Sequence, residues 1–487
     1  MLLRQTFLYL PAQILGPLFQ VISAFAWTHV LAPADMGHFA LISAAQELAF
    51  SVSLMWFSLY TVRYFDASAS AEARQRFHAT EGAILSAAIL AMVAGIAAIP
   101  MGASGRLTGE LLWAAIAFVA SRSIASYLAE RTRAEGDALG YTVLQTAGPV
   151  AGFGLAFALL AVMPPTAATV LWGYAIVQAL SIAFALRRRS LSLDIVSADA
   201  ALVRQSITYG FPLLVGGIFI WLANNGIRFL IEWTEGLAAV GLVTVGWALG
   251  LRAAQFASML TTAAAFPLAV RRYREEGPDA GQRQLERNGV LLLSVVAPAL
   301  AGLSMIASPA IDLVVAAPYR DVTKTVLPLA LLAGGLRNIR LHFPNQAYLL
   351  HGRPLPPVAI DGIDALLTMV LGAGGLWLGG LWGAVAGVAI SAVITLSIAM
   401  VAAWRDYRFA FPPSDLLRIL AAVAVMTLAV GWFSPKATVA SLAAAVALGG
   451  AAYAAALAVL YRDISTRGLR FLRSRLNRIP LPDETRT

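Results

Sequence analysis

Long apolar stretches, separated by short polar connectors, run through the whole chain. About fourteen of them approach the ~20 residues that a helix needs to cross the hydrocarbon core of a bilayer. Helices are expected because lipid cannot satisfy free backbone polar groups, and the ten-residue alternation of a membrane β-barrel is missing. The pattern therefore predicts an all-α polytopic membrane protein. The predicted spans are 8–31, 38–62, 79–100, 109–130, 141–163, 167–187, 207–231, 238–268, 288–311, 325–350, 356–378, 380–403, 415–434 and 438–461.

Composition supports this class and narrows the chemistry. The chain is 59% hydrophobic and 13% charged, whereas soluble domains are about 25% charged. It contains no cysteine, which excludes disulfides, thiolate metal ligands and cysteine nucleophiles. The net charge of +9 would suggest nucleic-acid binding in a soluble protein, but in a membrane protein it first reports topology.

The distribution of basic residues predicts the orientation of the spans. With the N-terminus in the cytoplasm, most of the 35 Lys and Arg residues fall in cytoplasmic connectors or tails. An error in the number of helices would place the later basic connectors on the wrong side of the membrane. The excess of Lys and Arg on the cytoplasmic side nevertheless persists to the end of the chain. We therefore expect fourteen spans with both termini in the cytoplasm. The arginines left inside spans are Arg122, Arg228, Arg252, Arg337 and Arg340.

An internal echo relates the two halves of the chain. The first span carries Pro11 and is followed by a short turn and Gly37, and the seventh span carries Pro212 and is followed by a short turn and Gly241. Six helices, an even number, separate the two patterns. The halves therefore share one orientation, as in a parallel repeat about an axis along the membrane normal.

Three segments resemble a known family. "VLAPADMGHFALISAAQELAF" resembles the turn after the first helix of polysaccharide flippases, "YGFPLLVGGIFIWLANNGIRFLI" resembles their seventh helix, and "LGGLWGAVAGVAI" resembles the start of their twelfth. The order and spacing are similar to the Wzx-type polysaccharide transporter branch of the MOP flippase superfamily. MurJ-type lipid II flippases also have fourteen helices, but their arginine-rich first-helix signature is not found here.

The resemblance implies an architecture and a function. It implies two six-helix lobes around a central cavity, alternating access, and a polyprenyl-pyrophosphate-linked oligosaccharide carried across the bacterial inner membrane for exopolysaccharide, O-antigen or capsule assembly. Polysaccharide polymerase and export proteins would be partners. The expected parts are an N-lobe at 1–190, a cytoplasmic linker at 191–206, a C-lobe at 207–403, two extra helices at 404–461 and a basic cytoplasmic tail at 462–487.

The tenth span holds an unusual run of polar residues, "LRNIRLHFPNQ". Arg337 falls near the bilayer midplane, where an arginine costs at least ~2.5 kcal/mol. We expect a cavity wall, because the planar arginine fork suits phosphate oxygens. The alternative is an interhelical ion pair that only fixes packing. The residues predicted to bind cargo here are Arg337, Arg340, Asn338, His342, Asn345 and Gln346.

The other intramembrane arginines leave similar alternatives open. Arg252 is a second candidate for the cavity or for a structural pair. Arg228 is expected to pair with Glu232 one turn later, which would leave Asn224 and Asn225 for sugar hydroxyls. Arg122 lies nearer the cytoplasmic edge and is expected to be structural, with a side chain able to snorkel.

Acidic residues are scarce in the spans. Glu47, in the middle of the second span, is expected either to pair with an intramembrane arginine or to couple transport to protons or sodium. Coupling to the membrane potential is also open. Asp361 and Asp364 are expected to interact with Arg353 or with first-turn backbone amides, and the alternative is an ion site on the cytoplasmic side.

The remaining motifs bear on partners and on enzyme activity. Six arginines interleaved with leucines in the C-terminal tail predict an interfacial helix on anionic lipid, with no nucleic-acid role. No HExxH, GxSxG or Walker motif is present, and no catalytic residue, cofactor or metal site is predicted. The resemblance implies a flippase rather than an enzyme. The alternatives are a MATE-like multidrug or metabolite antiporter and a membrane enzyme of glycan assembly.

Overall fold

The structure of the protein is a computed structural model that describes residues 2–66, 70–98, 100–101, 105–107, 109–188 and 197–462. These residues are almost entirely helical, and a two-residue antiparallel pair, β1 (Pro100–Met101) and β2 (Gly105–Arg106), is the exception. The predicted interfacial helix of the basic tail lies outside the described residues, as does part of the predicted linker.

The first half of the chain folds into long apolar helices, two of which contain π-helical turns. A π turn at Ser51–Met55 joins α2 to α3, and another at Ala147–Gly152 joins α6 to α7. Such turns are rare and occur often at functional sites. The helices are α1 (Leu2–Thr28), α2 (Pro33–Phe50), α3 (Trp56–Tyr64), α4 (Ala71–Ala98), α5 (Gly109–Ala134), α6 (Ala138–Thr146), α7 (Phe153–Leu159) and α8 (Ala167–Arg187).

The second half has longer helices, several with an internal proline. A break at Phe343 precedes Pro344, which cannot donate a backbone hydrogen bond to the helix before it. The helices are α9 (Ala200–Glu235), α10 (Leu237–Glu276), α11 (Pro278–Val314), α12 (Arg320–His342), α13 (Pro344–Leu350), α14 (Leu355–Tyr407), α15 (Pro413–Phe433) and α16 (Val439–Leu460).

Helix α14 is a hairpin of two spans rather than one rod. Its 53 residues would extend about 80 Å as a continuous helix, far beyond a hydrocarbon core of about 30 Å. Gly379 and Gly380 interrupt it with non-helical backbone, and Gly380 adopts a φ of 58°. A Cβ on Gly375 would overlap the Gly383 carbonyl, and a Cβ on Gly383 would overlap the Gly375 carbonyl. The two arms are therefore in close backbone contact.

Eleven helices among the described residues are long and apolar enough to cross a membrane. The α14 hairpin counts once in this number, α1 contributes only a shorter apolar helix, and α12 does not qualify. The chain is a multi-pass membrane protein, and the predicted all-α class is confirmed. The count of fourteen spans stays a prediction.

Two equivalent positions of the internal echo contact each other. A Cβ on Gly37 would overlap the Leu237 carbonyl oxygen, and a Cβ on Gly241 would overlap the Pro33 carbonyl oxygen. Each glycine thus leaves room for the first residue of the other's helix. We call this contact between the starts of α2 and α10 the glycine crossing.

Polar contacts tie the turn after α1 to the segment before α12. Thr28 Oγ1 accepts a hydrogen bond from the Ala316 amide at 3.2 Å, and the Tyr319 hydroxyl donates to the Leu31 carbonyl at 2.8 Å. Burial raises the pKa of the Tyr319 phenol. The phenol therefore keeps its proton and remains a donor to Leu31.

The described chain divides into two compact units. The first unit comprises residues 1–252, 314–337 and 352–399, and the second comprises 253–313, 338–351 and 400–487. The second unit has its own aromatic core, in which the rings of Phe343 and Phe409 lie 4.6 Å apart and Gly289 leaves room for Phe343. The predicted lobe boundaries stay a prediction.

Candidate functional site

One carboxylate of the first unit acts electrostatically on three of its arginines. Glu47 on α2 is exposed although it lies near the middle of the continuous helical span Pro33–Tyr64, and the arginines are partly buried. Its charge acts on all three arginine side chains, which come from α5, α9 and α10. We call this set, Glu47 with Arg122, Arg228 and Arg252, the arginine cluster.

Asn225 bridges Glu47 and Arg228. The Asn225 amide nitrogen donates to Glu47 Oε2 at 3.1 Å, and its amide oxygen accepts from Arg228 Nη1 at 3.0 Å. The Trp221 indole nitrogen donates to the Ala44 carbonyl at 2.8 Å, which joins the same two helices, α2 and α9. Arg228 Nε is buried and has no hydrogen-bond partner among the described residues.

The other two arginines keep donors available. Arg252 Nη1 donates to the Gln20 carbonyl at 2.6 Å, which uses one of its five N–H groups. Arg122 lies beside Gln178, and a Cβ on Gly148 would be 3.1 Å from Arg122 Nη1. Within the described part of the chain, the Arg122 guanidinium has no hydrogen-bond partner. The predicted structural role of Arg122 stays a prediction.

The charges of the arginine cluster do not balance. Across the described residues, no Glu47 oxygen lies within 4.0 Å of an arginine nitrogen, so these arginines have no direct ion pair. Three positive charges face one negative charge in a region where desolvated cations are costly. Open guanidinium groups in such a place can hold an anion with several oxygen atoms, because each group offers paired donors.

Arg337 forms a buried ion pair instead. Its Nε donates to Asp364 Oδ2 at 3.0 Å and its Nη2 donates to Asp364 Oδ1 at 3.1 Å. Nη2 also donates to the Thr368 hydroxyl at 2.7 Å, and Nη1 donates to the Ala223 carbonyl at 3.0 Å. Asp364 is completely buried, and Arg337 is 9% exposed. We call this the Arg337–Asp364 pair.

Asn224 and Asn225 are adjacent on α9, but Asn224 contacts the Arg337–Asp364 pair and Asn225 contacts the arginine cluster. Asn224 Oδ1 is 3.4 Å from Arg337 Nη1, and its carbonyl accepts from the Trp247 indole at 3.0 Å. Asn225 belongs to the arginine cluster. Helix α9 thus lies between the Arg337–Asp364 pair and the arginine cluster.

The rest of the polar run in the tenth predicted span belongs to the second unit. Arg340, Asn345 and Gln346 are buried there. Asn338 and His342 are partly buried. The boundary between the two units thus falls within α12, between Arg337 and Asn338, and the contact of these residues with cargo stays a prediction.

The partner of Arg337 was not indicated by the sequence. The expected partners of Asp364 are Arg353 or backbone amides. A single sequence does not show that α12 and α14 are neighbours, so it does not predict the contact with Arg337. Ser391, which donates to Asp364 Oδ1 at 2.7 Å, and Thr368 were not singled out. Their spacing offered a weak signal, since Asp364 and Thr368 are one turn apart on a helix.

Comparisons with known proteins support the fold. A scan against family models finds no match, and neither does a comparison with curated proteins. Solved structures do match. The lipid II flippase MurJ in an inward closed conformation matches with a TM-score of 0.73 at 13% identity, over 94% of this chain and 99% of that chain.

Two multidrug transporter structures match less closely. A MATE family transporter of the MOP superfamily in an inward-facing conformation gives a TM-score of 0.53 at 14% identity, over 85% of this chain and 98% of that chain. The MATE multidrug transporter DinF-BH gives a TM-score of 0.54 at 14% identity, over 82% of this chain and 95% of that chain. The chain therefore shares the fold of these solved structures.

Proposed function

We propose that the protein is a flippase that moves a polyprenyl-pyrophosphate-linked oligosaccharide across the bacterial inner membrane, as the Wzx-type resemblance implies. The observation that carries the proposal is the arginine cluster, in which the charge of Glu47 acts on three arginines and, among the described residues, forms no direct ion pair with them. A pyrophosphate supplies the negative charge and the oxygen acceptors that these guanidinium groups lack.

The proposal shifts the expected pyrophosphate contacts toward the first unit. Arg252 was predicted to bind cargo and retains open donors. Arg122 and Arg228 join it, whereas the donors of Arg337 are engaged by Asp364 and its neighbours. The predicted contacts of Arg340 and of the neighbouring amides with cargo stay a prediction.

A reconstituted flipping assay tests the proposal. Proteoliposomes would carry a fluorescent lipid-linked saccharide with a pyrophosphate, or the same saccharide on a neutral lipid. We expect flipping of the pyrophosphate lipid alone. Replacing Arg122 and Arg252 by Gln removes charge-assisted hydrogen bonds, so flipping at low cargo concentration should fall about tenfold or more.

The control variant is Arg271→Gln, which removes an exposed arginine paired with Glu275. It should flip at the rate of the unmodified protein, and thermal unfolding should show that all variants remain folded. Equal flipping of the two lipids, or unchanged flipping by folded Arg122→Gln/Arg252→Gln, would contradict the proposal.

A multidrug antiporter is the second candidate, because MATE transporters share the fold. The arginine cluster argues against the cationic cargo that would suit such a role, since it repels cations. Glu47 is then the group expected to respond to protons. Transport by Glu47→Gln that retains the pH dependence of the unmodified protein would exclude proton coupling through this residue.

A further inference from the structure

Glu47 and Arg228 carry opposite charges on neighbouring helices, yet they do not pair directly. Glu47 lies on α2, Arg228 lies on α9, and the charge of Glu47 acts on the Arg228 guanidinium. Among the described residues, these two side chains form no direct ion pair. Opposite charges attract strongly where little water screens them, so the separation of this pair requires a physical cause.

The Asn225 side chain lies between the two charged groups. Its amide nitrogen donates to Glu47 Oε2 at 3.1 Å, and its amide oxygen accepts from Arg228 Nη1 at 3.0 Å. A carboxylate only accepts hydrogen bonds and a guanidinium only donates them, so a side chain that contacts both must offer a donor and an acceptor. The neutral amide offers both, and it satisfies each charged group without neutralising it.

The packing of α2 against α9 fixes the position of this amide. Asn225 is buried, whereas Glu47 is exposed. One turn earlier on α9, the Trp221 indole nitrogen donates to the Ala44 carbonyl of α2 at 2.8 Å. This second hydrogen bond between the two helices holds them at one spacing beside Asn225, so that the amide reaches the carboxylate on the other helix.

Arg228 keeps donors for a ligand in this arrangement. Asn225 engages Nη1, and the buried Nε has no hydrogen-bond partner among the described residues. A guanidinium has five N–H groups, so a bond to one neutral amide leaves most of its donors and all of its charge. A direct bidentate pair with Glu47 would use two donors and offset the charge.

We propose that Asn225 is a positioning residue, which keeps Arg228 available to an anionic ligand by preventing a direct ion pair with Glu47. The inference rests on the proposed function, since the anion would be the pyrophosphate of the cargo. This role differs from the predicted contact of Asn225 with sugar hydroxyls. Without the amide, Glu47 and Arg228 would each lose a hydrogen bond and would replace it by pairing with each other.

Binding of inorganic pyrophosphate to the purified protein in detergent tests this role, because the probe has the charged group without a sugar. We expect Asn225→Ala to weaken binding about 10-fold. Removing the carboxylate should reverse this loss, so that Asn225→Ala/Glu47→Gln binds within about 2-fold of Glu47→Gln alone. An equal loss in both backgrounds would overturn the proposal, since it would show that Asn225 contacts the anion itself.

Two further variants serve as controls, and thermal unfolding checks that each is folded. Asn225→Asp keeps the size of the side chain, but its carboxylate pairs with Arg228 directly. Pyrophosphate binding should therefore fall, and Glu47→Gln should not restore it. Gln75→Ala removes an exposed amide on α4 and should bind pyrophosphate like the unmodified protein. Undiminished binding by folded Asn225→Asp would contradict the positioning role.

A measurement without ligand separates this inference from the proposed function. Thermal unfolding gives the coupling between Glu47→Gln and Arg228→Gln, first in the unmodified background and then in the Asn225→Ala background. We expect the coupling to rise by at least about 2 °C in the second background, because only there do the two charges pair. Unchanged coupling would overturn the inference even if pyrophosphate binds. Increased coupling without pyrophosphate binding would support the positioning role and count against the proposed function alone.

Discussion

The Arg337 side chain uses all five of its N–H donors inside the first unit. Two reach the Asp364 carboxylate, and the others reach Thr368, the Ala223 carbonyl and Asn224. Ser391 donates a further hydrogen bond to Asp364. Because the charges are buried and fully hydrogen-bonded, removing one partner leaves the other without compensation.

Replacing one member of the Arg337–Asp364 pair should destabilise the protein more than replacing both. We expect Arg337→Leu or Asp364→Leu alone to lower the free energy of unfolding by about 3–5 kcal/mol. The double variant should recover most of that loss. Denaturant or thermal unfolding in detergent measures the coupling between the two positions.

An exposed pair of the same chemistry provides the comparison. Arg271 and Glu275 lie one turn apart at the surface with side chains 71% and 55% exposed. Arg271→Leu should therefore change stability by less than about 1 kcal/mol. Additive losses at Arg337 and Asp364 would show that the two side chains do not act as a pair.

The sequence predicts the roles of single residues better than the contacts between helices. The depth of Arg337 in its span and its need for an anion followed from the cost of a charge in lipid. The identity of the anion could not be predicted in this way, because Asp364 lies on another helix. Glu47, Arg228 and Arg252 were selected for the same reason, but only the packing of α2, α9 and α10 brought them together.

At the scale of helices, glycine determines which backbones can touch. The glycine crossing joins α2 to α10, and Gly375 and Gly383 join the two arms of α14. Small residues promote helix association in membranes because they allow close backbone approach. The echo of Gly37 and Gly241 could be found in the sequence, whereas their mutual contact depends on how the two halves meet.

A large side chain in the glycine crossing should separate α2 from α10. Because the chain has no native cysteine, Ala34→Cys and Ala238→Cys can be spin-labelled specifically. We expect Gly241→Leu to lengthen and broaden the distance between these labels in pulsed EPR. The reason is that the leucine side chain would collide with the Pro33 carbonyl.

Gly95→Leu is the matched control, since a Cβ at Gly95 meets nothing within 4 Å. It should leave the distance distribution unchanged. An unaltered distance distribution in Gly241→Leu would contradict the close backbone contact between α2 and α10.

For the whole molecule, the break in α14 determines the topology of everything after it. The predicted spans 356–378 and 380–403 meet at Gly379 and Gly380, where the structure leaves the helical conformation. The predicted boundary between these two spans coincides with the glycine pair. The hydrophobic pattern and the basic connectors predicted the fold class, but the arrangement of lobes around a cavity came from family resemblance.

Single cysteines test the number of crossings. Arg353→Cys precedes the α14 hairpin, and Lys436→Cys follows α15. If α14 crosses twice, three crossings separate these positions and they lie on opposite sides. We expect a membrane-impermeant maleimide to label Lys436→Cys in intact cells and Arg353→Cys only after permeabilisation. Labelling of both from one side would contradict the hairpin topology and the predicted orientation.

The Arg337–Asp364 pair also bears on how the chain is assembled in the cell. Helix α12 emerges from the ribosome before α14, so Arg337 reaches the translocon while its carboxylate partner is still being synthesised. Alone, α12 is too polar to count among the apolar helices. Its stable partitioning into the bilayer should therefore wait for α14, which makes the two helices a cooperative unit of biogenesis rather than independent insertion events.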